Sequence, residues 1–332
     1  MKIIRKSMFL SLIFLLVLWI SGCGSKEEAN ETSNAKKSNA KAEEETLPDE
    51  LRIGYQKSSI LLFLKEKGSL EKILAEKGVK VTWHEFQSGP PLLEALNAGK
   101  IDVGYVGGAP AVLAGAVSDS ELAYLAYEPE VYRAIVVPKD SPIQKIEDLK
   151  GKKVAFGKGS SAHYLLLTAL ESVGLTLNDI TPVYLQPSDA RGAFERGNVD
   201  AWVIWDPYLA DAEESGGARI IADAKGLPRQ YGFIVGRRDY FQENRELRNL
   251  VISELEKVHK EIQADKQGAA ENFSQKTGIS KDVWKQTLER REYGVFDITP
   301  EVVDAQQKLA DTFLEAGLIN EKINVQDAVL SD

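Results

Sequence analysis

The chain has 332 residues, 43% of them hydrophobic, and a formal net charge of −9. That length allows about two domains with a sizeable core, and the negative balance argues against nucleic acid as a partner. The single cysteine excludes an intrachain disulfide and a cysteine-rich zinc site, and His84, His163 and His259 are far apart in sequence.

Lys2, Arg5 and Lys6 precede an apolar run over residues 8–20. The run is short for a spanning helix, which needs about 20 residues, and fits the core of a signal peptide over residues 1–22. It ends Ile20-Ser21-Gly22-Cys23, which resembles the bacterial lipobox. The resemblance implies cleavage before Cys23, lipidation of that cysteine with palmitate, and a body held outside the cell membrane. An uncleaved anchor helix, the alternative, leaves the body on the same side. Residues 24–45 carry no large apolar side chain and cannot offset their ordering entropy. Residues 23–46 therefore read as a lipidated start and a flexible tether.

In the first half, residues 51–55 form a strand, 60–77 a helical run closed by Gly78, and 79–86 a second strand. Gly89-Pro90-Pro91 opens a helix that Gly99 ends, the expected Pro-first, Gly-last asymmetry. Residues 101–106 are a third strand, and Gly107-Gly108-Ala109-Pro110 turns into a helix over 111–117. Strands alternating with helices predict a mostly parallel sheet, with ligands beyond the carboxyl ends of its strands.

The stretch 152–174 reads as strand, glycine-rich turn and helix: Val154 to Phe156, then Gly157-Lys158-Gly159-Ser160-Ser161, then a helical run stopped by Gly174. Ser160 or Ser161 suits the N-cap, and the first-turn amides sit at the positive end of the helix dipole. Such a start accepts an anion; it also serves as a plain capped connection. A P-loop is excluded, because Gly159 follows Lys158.

This region repeats the first half. Residues 52–57 align with 153–158 at an offset of 101, and Ser58-Ser59 with Ser160-Ser161 after one inserted glycine. The block from Ala95 to Asp102 matches Ala193 to Asp200 at 98, with Ser88 and Ser188 capping the helices, and Pro110 meets Pro207 at 97. Two similar α/β lobes follow, with a ligand pocket between them and closure by a hinge. Residues 231–235 form a strand returning to the first lobe, and the helices over 244–267, 266–273, 281–290 and 300–316 cover its sheet. The expected organisation is lobe 1 over 47–134 and 230–332, and lobe 2 over 135–229.

Signal, lipobox, tether, two lobes and a C-terminal return together resemble the solute-binding proteins of ABC importers, and most closely the sulfonate- and taurine-binding family. The residues that carry the resemblance are 53–57, 89–102, Gly107 to Pro110, Lys158 to His163, Ser188 to Arg191, and Val199 to Tyr208. It implies a two-lobed α/β periplasmic-binding fold (type II-like) with the ligand cleft between lobes. It also implies an aliphatic sulfonate ligand and delivery to the permease and ATPase subunits of an importer. By the same resemblance, Ser160, Ser161, Ala162 and His163 hold the sulfonate oxygens. Ser88, Gly89, Gly108 and Ala109 add donors from the first lobe, Gln56 bonds from the first turn, Asp189 and Arg191 lie in the second-lobe turn, and Trp205 walls the organic tail. Arg191 has the alternative of pairing with Asp189 or Glu195 on the surface, Trp202 and Trp205 of being core, and Asp102 and Asp200 of being structural. Taurine, nitrate, bicarbonate and pyrimidine precursors are alternative ligands; a taurine ammonium needs an acid such as Asp189, Asp206 or Glu128. No hydrolase motif is present, so no catalysis, cofactor or metal is expected, and the chain is expected to be a monomer.

Overall fold

The computed structural model describes residues 47–118, 120–215 and 217–330. The expected signal peptide, the expected lipidation site Cys23 and the expected tether up to residue 46 lie outside the described residues.

In chain order the first half runs β1 (Glu50–Tyr55), α1 (Ile60–Lys67), α2 (Ser69–Glu76), β2 (Lys80–Glu85), α3 (Gly89–Asn97), β3 (Val103–Gly107), α4 (Gly108–Gly115) and β4 (Leu122–Pro129). The second half follows with β5 (Arg133–Pro138), β6 (Lys153–Phe156), α5 (Ser161–Glu171), β7 (Thr181–Tyr184), α6 (Pro187–Glu195), β8 (Ala201–Trp205), α7 (Tyr208–Glu214) and β9 (Ala218–Asp223). The remainder is β10 (Tyr231–Arg237), α8 (Arg238–Glu243), α9 (Arg245–Ala264), α10 (Lys266–Thr277), α11 (Lys281–Arg290) and α12 (Pro300–Glu315).

The strands make two five-stranded sheets, ordered β2-β1-β3-β10-β4 and β7-β6-β8-β5-β9. Each has the same plan. Three strands joined through helices are parallel (β2, β1, β3 and β7, β6, β8), and the next strand, β10 or β5, runs antiparallel to both its neighbours. The sheets are therefore mixed rather than mostly parallel. β10 is the return strand: it enters the first sheet between β3 and β4.

The internal repeat has a physical counterpart at the strand starts. Asp102 Oδ2 accepts the Arg52 amide at 2.8 Å, and Asp200 Oδ2 accepts the Lys153 amide at 2.7 Å. In each case the Asp amide donates back to the same residue's carbonyl, at 2.8 Å. These carboxylates pin neighbouring strands in register.

Several elements differ from expectation. The helical run over 60–77 is two helices, broken at Gly68, which takes a left-handed φ of 66° and closes α1 as its C-cap. Ser188 does not cap α6; Gln186 holds that position and Ser188 lies inside the first turn. The first helix after β3 begins at Gly108, three residues early, because Gly107 itself serves as the extended N-cap. The C-terminal helices do not all cover the first sheet: α9 packs on α1 and α12 on α4, but α11 packs on α7 of the second half. There Ser280 donates to Glu214, and Gln286 and Arg290 donate to Glu213. Phe63 of α1, Phe273 of α10 and Trp284 of α11 bury their rings together: Phe63 meets the other two edge to face, 5.7 Å from Trp284, and Phe273 is tilted against Trp284. Each such ring stabilises the fold by about 1.5–3 kcal/mol.

Candidate ligand site

A cleft with about 370 Å³ of atom-free space opens where the turns of the two sheets meet. The first half contributes Gln56 and Ser58 from the β1–α1 turn, Gly89 from the start of α3, and Tyr105, Gly107 and Pro110 around the start of α4. From the second half come Ser160 and Ser161 at the start of α5 and Trp205 at the end of β8. The link between β4 and β5 forms one wall with Glu130 and Val131, continued by Arg133, the first residue of β5.

Ser160 caps α5: its hydroxyl accepts the His163 amide at 3.4 Å and donates to the Gly157 carbonyl at 2.7 Å. The first-turn amides of Ser161 and Ala162 have no acceptor inside the helix and carry the positive end of its dipole. Ser161 lies against the end of β3, where a Cβ on Gly107 would overlap both the Ser161 hydroxyl and the Glu130 carboxylate. Glycine at 107 is thus what lets the two halves meet this closely.

Glu130 and Arg133 form an ion pair in the cleft wall, 2.6 Å apart, with side chains 7% and 5% exposed. Burial pushes the Glu130 carboxyl up, against the opposing pull of Arg133 and a hydrogen bond from Ser161. Two donors lining the cleft are buried without an acceptor among the described residues: the Tyr105 hydroxyl and Arg133 Nε. Burial also raises the Tyr105 phenol, which stays a neutral donor. Behind the first turn, Arg291 donates to the Ser58 carbonyl at 2.8 Å and to Glu128 at 3.0 Å, and His259 lies 3.2 Å from the same carboxylate. Glu128 is therefore engaged in a buried network and does not line the cleft.

Of the residues expected in the site, Gln56, Gly89, Ser160, Ser161 and Trp205 line the cleft. The Gln56 side chain holds the Tyr105 carbonyl at 2.8 Å. Gly108 and Ala109 are buried one step behind Gly107, with the Gly108 carbonyl accepting Gln306 Nε2 at 2.7 Å. Ala162 is buried at the second position of α5. Ser88 is buried, and its hydroxyl reaches across to Gln186 Oε1 at 2.8 Å, while Ser188 returns the same bond to Gln87 Oε1 at 2.8 Å. These two bonds clasp the halves beside the cleft.

Other expected residues lie elsewhere. The His163 ring turns inward: it stacks on Phe156 at 4.9 Å, and its Nδ1 accepts the Gly159 amide at 3.2 Å. Burial, with Lys158 nearby, pushes it down to about 4, so the ring is neutral. Asp189 is exposed in the first turn of α6. Arg191 pairs with Glu195 at 2.7 Å and with Asp211, and donates to Ser215 at 3.2 Å, on the outside of the second half. Trp202 is core, 1% exposed. Asp206, beside a cis Pro207, accepts the Ala210 amide at 3.0 Å and lies 3.6 Å from Arg290; burial pushes it up to about 7.

Tyr105, Glu130 and Arg133 were not singled out from the sequence. The available signal was two opposite charges, Glu130 and Arg133, in a short link between apolar strands.

Residues 69–277 match the family model described as "ABC transporter, phosphonate, periplasmic substrate-binding protein". The chain is 36% identical to a Bacillus subtilis (strain 168) protein provisionally named aliphatic sulfonates-binding protein, over 96% of this chain and 93% of the other. Among solved structures, it matches the alkanesulfonate-binding protein SsuA from Xanthomonas axonopodis pv. citri bound to MOPS. The TM-score is 0.81 at 38% identity, over 85% of this chain and 98% of the other. It also matches the periplasmic aliphatic sulphonate binding protein SsuA from Escherichia coli, with a TM-score of 0.77 at 37% identity, over 86% and 92%. With a mixed-sheet, two-lobed architecture and a donor-lined cleft between the lobes, the chain belongs to the periplasmic substrate-binding proteins of ABC transporters, in the family of the aliphatic sulfonate-binding proteins.

Proposed function

We propose that this chain is an extracytoplasmic receptor that binds aliphatic sulfonates in the cleft between its sheets and delivers them to an ABC importer. The observation that carries this reading is the set of buried donors without acceptors, Tyr105 Oη and Arg133 Nε, on residues that line the same cleft as the start of α5. A sulfonate has three acceptor oxygens and needs fixed donors rather than a proton. Ser161 and the α5 amides supply them from one side and Tyr105 from the other, while Trp205 walls the organic tail. Arg133, rather than Arg191, is the cation placed to serve the head group. Because Glu130 already balances Arg133, the cleft suits a monoanion better than a doubly charged phosphonate. The lobes, residues 47–134 with 230–332 and residues 135–229, close on the ligand. Cys23 carries the lipid that holds the body at the membrane surface, and the receptor works as a monomer without catalysing any reaction.

Calorimetric titration of the purified protein with alkanesulfonates, taurine, sulfate, methylphosphonate and matching carboxylates tests the reading. Tight binding of alkanesulfonates with silent carboxylates supports it; silence toward every sulfonate removes it and leaves the fold with another ligand. Solution scattering with and without a bound alkanesulfonate tests closure, and identical profiles count against it.

A further inference from the structure

Glu130 lies where a sulfonate head group needs to be served. Its carboxylate pairs with Arg133 and takes the hydroxyl of Ser161 at the start of α5. The chain's own anion thus occupies the two groups best suited to an incoming one. Together Glu130 and Arg133 are neutral, so a sulfonate adds a full negative charge that only the partial positive charge of the α5 dipole offsets. The other groups facing the pair do not supply the missing charge. Tyr105 of β3 and Tyr164 of α5 are held neutral by burial. Behind Tyr105, Glu128 is matched by Arg291, with His259 on its other oxygen. On the outer side of the link, Tyr132 bonds Asp223, Arg229 pairs with Glu292, and Arg290 pairs with Glu213.

We propose, resting on the sulfonate reading above, that Glu130 sets the charge of the ligand this cleft accepts. An alkanesulfonate binds together with one proton, taken from solvent onto the Glu130 carboxylate, whereas an aminosulfonate brings its own positive charge. The protonated carboxyl releases Arg133 to the sulfonate and becomes a donor itself. The sulfonate stays ionised throughout, so the proton belongs to the protein. Burial already raises the Glu130 carboxyl, and a bound anion raises it further. Between its value in the free protein and its value in the complex, alkanesulfonate affinity falls as pH rises, by up to about tenfold per pH unit; outside that window it is flat.

The experiment is calorimetry with an alkanesulfonate and with taurine across the neutral pH range. Buffers of different ionisation enthalpy count the protons, and sulfonate buffers such as MOPS are excluded. Wild type is expected to take up about one proton per alkanesulfonate within the window and close to none with taurine. In Glu130→Gln the uptake and the pH slope disappear, and taurine affinity drops at least about tenfold, the scale of a lost charged contact. Asp206→Asn, which removes the other raised carboxyl near the cleft, retains the uptake. Alkanesulfonate binding with no proton uptake in wild type overturns the proposal, as does uptake that survives in Glu130→Gln. The proton count on wild type alone decides the matter if that variant does not fold. If wild type binds no sulfonate at any pH, the sulfonate reading itself fails and this inference falls with it.

Discussion

The β1–α1 turn and the β6–α5 turn share two hydrogen bonds but not their surroundings. Ser59 donates to the Gln56 carbonyl at 3.0 Å through its hydroxyl, and Ser160 to the Gly157 carbonyl at 2.7 Å. The two amides repeat the pattern at 3.0 and 3.2 Å. The equivalence therefore holds at an offset of 101 with no inserted glycine: Ser59 matches Ser160, and Gly159 stands where the first turn has Ser58. The residue after the serine then separates them. In the first turn it is Ile60, wholly buried in the core; in the second it is Ser161, which lines the cleft. Cap geometry makes a helix start available, and the side chain at its first position decides whether core seals it or a ligand reaches it.

Arg291 supports only the first turn, from behind. Arg291→Ala leaves Glu128 buried without its cation and frees the Ser58 carbonyl; stability is expected to fall by about 3–5 kcal/mol in urea denaturation. Wild-type stability in that variant would mean the first turn needs no such support.

His163 stands where the first turn has Leu62, so the second copy holds an imidazole where the first has an aliphatic side chain. Its value in the fold, about 4, lies below its ordinary 6.5. Above 6.5 the ring is neutral folded or unfolded and contributes no slope. As pH falls from 6.5 to about 4, the unfolded chain takes the proton first, and roughly 3 kcal/mol of stability is lost. Melting curves of His163→Leu are expected to lose that component of the acid slope. The variant starts lower at neutral pH, because the Gly159 amide loses its acceptor. A slope identical to wild type would place the titration elsewhere.

Ser161→Ile copies the first turn into the second. It is expected to keep the fold and weaken alkanesulfonate binding by about 1.5–3 kcal/mol, the scale of a hydrogen bond to a charged group. Undiminished affinity in a titration would take Ser161 out of the site. The smallest expected effect is at the caps. Ser160→Ala is predicted to lower stability by about 1 kcal/mol, and Ser59→Ala by less, since only the Ser160 hydroxyl accepts a first-turn amide.

Much of this was legible in advance. The glycine-rich turn, the proline-started helix and the spacing between Ala95 and Asp102 led to the elements they mark, because each is a local rule about backbone conformation or capping. β4, β7 and β9 left no comparable trace. β4 is buried over most of its length, β7 is a short edge strand containing Pro182, and β9 is half-buried at every position, so none alternates cleanly. Arg191 and His163 show the limit at the site. Both residue types suit an anion, but Glu195 and Asp211 hold one on the surface and Phe156 draws the other into the core. Glu130 and Arg133 were hidden for the opposite reason: their meaning arises only where the chain crosses from one sheet to the other.

The place of β10 bears on the order in which the molecule can be assembled. Every strand of the second sheet lies between Arg133 and Asp223, so that sheet has all its parts before the chain reaches β10. The first sheet does not: until residues 231–237 arrive, β3 and β4 lack the strand that joins them and each presents an unpaired edge. The younger half of the chain can thus mature first, and the older half must wait, exposed, for a strand made long after its neighbours.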